Sequence, residues 1–102
     1  SLRCAGMPDG EYELGGLPIT MKDGLARLHD GTIAGSATNL LQELKNVVSY
    51  GIALESAVYA VTAAPARSIG LSDSIGALDV GKCADILVLD EALDGRPVYG
   101  EL

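Results

Sequence analysis

Leu40, Leu41, Leu44, Val47 and Val48 recur at i, i+1, i+4, i+7 and i+8. An α-helix brings that spacing onto one face, so the middle of the chain presents an apolar stripe that another element has to cover. Gln42, Glu43, Lys45 and Asn46 fall on the opposite side. Ser36 or Thr38 can cap the start of this helix, and Gly51 stands just past its last turn at the C′ position. The spacing predicts a second helix over residues 54–63, with Leu54, Val58 and Val61 on one face. Pro65 stops it, because the residue before a proline avoids the α region. Pro65 then opens a short third helical turn over residues 66–69, ended by Gly70.

Residues with β character flank these helices. The first 18 residues are rich in turn formers and read as a loop with a short extended piece at Tyr12–Leu14. Ile19, Met21, Leu25 and Leu28 surround Lys22-Asp23-Gly24, and an Asp-Gly pair between short apolar segments predicts a type I′ hairpin turn. Asp30-Gly31 is a second signal of the same kind, so a small antiparallel unit is expected. Beyond the helices, Val80-Gly81-Lys82 reads as a turn. Residues 84–90 then form an apolar run bounded by acids whose lack of alternation predicts a strand buried on both faces. Val98-Tyr99 reads as the opening of one more strand. The hairpin and the last strands would have to meet across the helices, which is awkward for a self-contained domain. The chain also starts at Ser1 without a methionine, so a piece of a longer protein is expected.

Composition narrows the function classes. A chain of 102 residues is one domain at most by size. With 48% hydrophobic residues it is not a disordered chain, and two cysteines cannot staple a disulfide scaffold. Cys4 and Cys83 read as reduced thiols of a cytosolic protein. No apolar run reaches the ~18 residues of a membrane span, and a net charge of −7 argues against nucleic acid. His29 is the one histidine and has no partner at a metal-ligand interval. No serine sits in a Gly-x-Ser-x-Gly elbow, and nothing in the sequence orients Cys4 toward His29. One segment, Asp30-Gly31-Thr32-Ile33-Ala34-Gly35-Ser36, reads as a loop running into the first helix. Its glycines allow close backbone approach to a ligand, and a helix N-terminus offers unpaired N–H groups. On chemistry alone the plainer reading is a strand-to-helix connection with Ser36 as the cap.

Leu14-Gly15-Gly16-Leu17-Pro18, Lys22-Asp23-Gly24 and the stretch from Asp30 to Ser36 resemble the late section of N-acetylglucosamine-6-phosphate deacetylases. The resemblance continues through the helices, the stretch from Thr62 to Leu71 and the stretch from Ile75 to Asp90. The Pro-Ala-Arg and Gly-Lys-x-Ala-Asp segments occur across amidohydrolases, including dihydroorotase-like and imidazolonepropionase-like enzymes. The Asp-Gly-Thr-Ile-Ala-Gly-Ser stretch with its upstream Leu-Gly-Gly points to the deacetylase branch. Ala64 stands where that family usually has asparagine, at a helix end where no functional cost is expected.

The resemblance implies an α/β chain: the last helices of a (β/α)8 barrel, which alone takes ~250 residues, joined to strands of a small β-sandwich. Taken by itself the chain would be a mixed α+β fragment. It implies four sections: residues 1–18 as loop and extended segment after barrel strand 8, 19–35 as hairpin and substrate-contact loop, 36–70 as barrel-end helices, and 71–102 as sandwich strands. Ile33, Ala34 and Gly35 match the segment that contacts the amino-sugar phosphate. The expected catalytic aspartate falls just before Ser1, so neither a catalytic residue nor a metal ligand is expected in this chain. In the parent enzyme a divalent metal, zinc or iron, would assist hydrolysis of the acetamide to glucosamine 6-phosphate and acetate. A cytoplasmic location, no nucleic-acid or membrane partner, and self-association or a homodimer complete the expectation. The competing classes are another amidohydrolase and a non-catalytic assembly module.

Overall fold

The computed structural model describes residues 2–98, which fall into two compact units that meet in sequence after Glu43. The first unit is a four-stranded antiparallel meander of β1 (Gly10–Leu14), β2 (Leu17–Lys22), β3 (Leu25–Leu28) and β4 (Ile33–Ser36), in that spatial order. The β1–β2 turn is Gly15-Gly16 with φ of 57° and 84°, and the β2–β3 turn is Asp23-Gly24 with φ of 52° and 78°. Positive φ at both central residues is the type I′ geometry, whose twist matches that of the flanking strands. The stretch to residue 18, read as mostly loop, therefore holds all of β1 and the start of β2. The dense glycines and prolines hid the period-2 alternation of Tyr12 and Leu14 with Glu11 and Glu13.

One face of the meander carries the core. Cys4, Ile19, Met21, Ala26 and Ala37 are buried, with Leu2, Tyr12, Leu14, Leu28 and Ala34 packed against them. Tyr12 extends past this layer and its hydroxyl donates to Pro8 O at 2.7 Å. A core of one isoleucine, one methionine and small residues is thin, so backbone pairing carries much of this unit.

The second unit contains most of α1 (Leu40–Ser49), followed by α2 (Leu54–Val61), α3 (Ala63–Ser68), β5 (Ile86–Leu89) and β6 (Gly95–Val98). The cap of α1 is Asn39, whose Oδ1 accepts the Gln42 amide at 2.9 Å. Ser36 closes β4 instead, and Thr38 donates its hydroxyl to Glu43. At the other end, Gly51 N donates to Val48 O and Ile52 N to Val47 O, the paired bonds of a Schellman stop. In this chain Leu44 is only 4% exposed, while Leu40 is 61% exposed.

Pro65 lies inside α3, and the break falls earlier, at Thr62. A proline cannot donate to the carbonyl four residues back and its ring collides with that carbonyl, so the chain yields one turn upstream. Thr62 Oγ1 donates to Val58 O at 2.7 Å across the break. Gly70 N to Arg67 O and Leu71 N to Ala66 O make a second Schellman stop. The loop that follows presses its backbone onto α3 at Gly76. Ala57 and Ala66 are the buried residues of α2 and α3, and Leu54 and Val58 of the expected face stay partly open.

β5 and β6 form a two-stranded antiparallel hairpin. Leu87 and Val88 are 47% and 48% exposed, so β5 is not buried on both faces as its unbroken apolar run suggested. Among the described residues β6 is its one strand neighbour, and a two-stranded ribbon cannot cover both faces of either strand. The Val98-Tyr99 strand start lies partly outside the described residues: β6 ends at Val98.

Candidate functional site

Ile33, Ala34 and Gly35 are three of the four residues of β4, an edge strand and not the loop expected for this stretch. Pairing with β3 is what straightens it: Leu25 lies opposite Ser36, Ala26 opposite Gly35 and Arg27 opposite Ile33. Ala34 is thus the extra residue of a β-bulge facing the Ala26–Arg27 step. A bulge bends its strand and re-aims side chains, and such irregularities cluster near functional sites.

The three residues are placed differently. Ile33 is 59% exposed. Ala34 turns onto the core layer. Gly35 has φ of 153°, and a Cβ on it would lie 3.2 Å from Leu2 Cδ2. Leu2 also donates its amide to Ser36 O at 3.0 Å. A ligand reaching this strand would therefore meet the Ile33 side chain and backbone groups, with no titratable side chain among the three. The Leu2 contact is a residue-level feature that sequence reading missed, since nothing in the local pattern links the N-terminal segment to Gly35.

The turn leading into β4 is well tied. Leu28 N donates to Thr32 O at 2.8 Å and Gly31 N to Leu28 O at 2.9 Å. Arg27 Nη1 donates to Gly31 O at 2.9 Å. Asp30 Oδ1 accepts the Thr32 amide at 2.9 Å, and this bond holds the Asp30 carboxyl below the usual aspartate range. On the open face of the meander, Glu11 accepts from Thr20 Oγ1 at 2.8 Å and contacts His29 Nε2 at 3.3 Å. The Thr20 bond first, and His29 second, lower the Glu11 pKa. His29 is thus a surface partner of a carboxylate.

Among the described residues no three His, Cys, Asp or Glu side chains gather as a metal site. Cys4 is buried, Cys83 is exposed, and neither is in a disulfide. In the second unit, Val58, Val61, Ile69, Ile75, Leu78 and Ile86 line part of an apolar groove of about 580 Å³. Thr62, Cys83 and Asp85 also line it.

Residues 22–101 match the model of the amidohydrolase family. The chain is 36% identical, over its whole length, to the N-acetylglucosamine-6-phosphate deacetylase of Vibrio furnissii, of which it covers 26%. It is 32% identical over 97% of its length to the N-acetylgalactosamine-6-phosphate deacetylase of Escherichia coli O157:H7, again covering 26% of that protein. Among solved structures, the N-acetylglucosamine-6-phosphate deacetylase of Thermotoga maritima superposes on 96% of the chain with a TM-score of 0.85 at 34% identity, and 27% of that protein is covered. The chain thus spans about a quarter of the length of these relatives.

Proposed function

This chain belongs to the amidohydrolase family, and we propose that it is the C-terminal portion of a deacetylase that hydrolyses the acetamide of N-acetylglucosamine 6-phosphate. In this reading the meander follows the eighth barrel strand, the helices are barrel-end helices, and β5–β6 belongs to the small sandwich. The catalytic aspartate would directly precede Ser1, and β4 would contact the amino sugar through Ile33, Ala34 and Gly35.

One observation carries the reading: Leu2 lies against Gly35 and bonds to Ser36. Successive Cα atoms are 3.8 Å apart, so a residue two positions before Leu2 lies within about 8 Å of it. A carboxylate there would share a neighbourhood with the strand that meets the substrate. This chain's own contribution is then to place the sugar beside the group that moves the proton. In this reading a zinc or iron ion of the parent would be held by other segments, and this chain's residues take no step through it. A cytoplasmic setting is part of the proposal. Among the described residues no helix is long and apolar enough to cross a membrane.

The test measures acetate release from N-acetylglucosamine 6-phosphate and from N-acetylgalactosamine 6-phosphate. The longer polypeptide that carries this segment is expected to release acetate, faster from the first sugar. The 102-residue chain is expected to release none with added zinc or iron. Turnover by the short chain would overturn the fragment reading, and an inert long polypeptide would overturn the deacetylase reading. Preference for the second sugar would reassign the substrate.

A further inference from the structure

We propose that Leu2 is a positioning residue, a side-chain stop that fixes β4 against the N-terminal segment. The proposal rests on the reading that Ile33, Ala34 and Gly35 contact the amino sugar and that the reacting aspartate precedes Ser1. Three features of the meander lead to it.

First, β4 is held to β3 by a pairing that contains a bulge. The step from Ala26 to Arg27 is matched by two residues on β4, with Ala34 as the extra one. A bulged pairing at a sheet edge fixes the strand path less tightly than a regular ladder, because one residue has no cross-strand counterpart. Second, Leu2 supplies what the pairing lacks. Its amide donates to Ser36 O at 3.0 Å, and its side chain covers Gly35, with Cδ2, Cγ and Cδ1 lying 3.2, 3.3 and 3.4 Å from where a Cβ would stand. The lack of a side chain at Gly35 is what admits a leucine so close. Third, Leu2 is anchored on its other side by packing against the buried group around Cys4, Ile19 and Ala26, and Leu2 O accepts the Ala5 amide at 3.0 Å. The contact therefore joins two stretches far apart in sequence, and one of them leads straight back to the expected aspartate.

Deleting the Leu2 side chain would leave the backbone bond but remove the stop. β4 would then drift relative to the N-terminal segment by a fraction of the space vacated. Small misplacements of this kind act on the chemical step, where a shift of about 1 Å can cost roughly 100-fold. Sugar affinity, spread over many contacts of a whole enzyme, would move less.

Two measurements test this. Amide hydrogen exchange is followed in the 102-residue chain with Leu2→Ala. Protection is expected to fall at Gly35 and Ser36 and to persist in the β1–β2 hairpin. Unchanged protection at β4 overturns the stop, and so does a uniform loss across the meander. In the longer polypeptide, Leu2→Ala is expected to lower kcat about tenfold with KM changed less than about threefold. Leu2→Met, which refills the space, is expected to return kcat to within about twofold of the original. An unchanged kcat in Leu2→Ala overturns the positioning role, as does a loss explained wholly by a smaller folded fraction in circular dichroism. A wild-type long polypeptide without acetate release overturns the deacetylase reading, and the exchange result then judges the stop by itself.

Discussion

Gly51 and Gly76 have nearly the same φ, 98° and 92°, yet they are constrained by different things. A Cβ on Gly51 meets nothing within 4 Å, so its glycine answers only to the helix stop it forms. A Cβ on Gly76 would stand 2.8 Å from Ala66 Cβ and 3.1 Å from Thr62 O. The second position carries both the left-handed backbone and a backbone-to-helix contact with no flexible side chain to move aside. Gly51→Ala is expected to cost about 1 kcal/mol from the backbone alone. Gly76→Ala adds overpacking and is expected to cost about 2–4 kcal/mol in total. Urea unfolding midpoints of the two variants check the order; equal losses would show that the Gly76 loop relaxes freely. Ala66 is itself one of the few buried residues of the second unit, which is why a single methyl matters there.

At the scale of elements, the start of α1 takes a cap other than the two expected, Ser36 and Thr38. Asn39 makes the capping bond to the Gln42 amide, and Ser36 is spent on β4 and on a contact to Thr38 at 3.0 Å. Asn39→Ala is expected to lower stability by about 1 kcal/mol, with a range of roughly 0.5–2. Thermal unfolding checks it, and a neutral result would move the cap back to Thr38 or Ser36. The difference shows what a sequence reading can reach. Asp23-Gly24 is legible because a type I′ turn demands those residue types locally. The stripe from Leu40 to Val48 is legible because helix period is a local property, and Gly51 and Gly70 because left-handed helix stops favour glycine. Residues 33–36 are not, since they become a strand only when β3 supplies partners. The bulge at Ala34 depends on cross-strand register, and the Gly35–Leu2 contact on a long loop closing. Pro65 was legible as a helix breaker, but the break landed at Thr62 because the clash of a proline acts one turn back. The substrate-contact role proposed for residues 33–35 rests on family resemblance, and no local pattern of polar residues marks it.

For the whole molecule, exposed apolar side chains outweigh the core. Ile69, Leu78 and Val80 are 66%, 81% and 100% exposed, and Tyr50 is 78% exposed. In relatives about four times as long, such surface has more polypeptide available to cover it. The isolated chain is expected to associate with itself despite its net charge of −7. Sedimentation velocity across a concentration series checks this, and a single monomer species at all concentrations would refute it. The meander has a different consequence. Every strand pair among the described residues joins neighbours in sequence. No long loop has to close before β1 to β4 zip together, so the entropic barrier to their assembly is small. During synthesis each hairpin can form as soon as its second strand clears the ribosome. The four strands therefore have no need to wait for distant ones, and the meander can be complete while later segments are still being made.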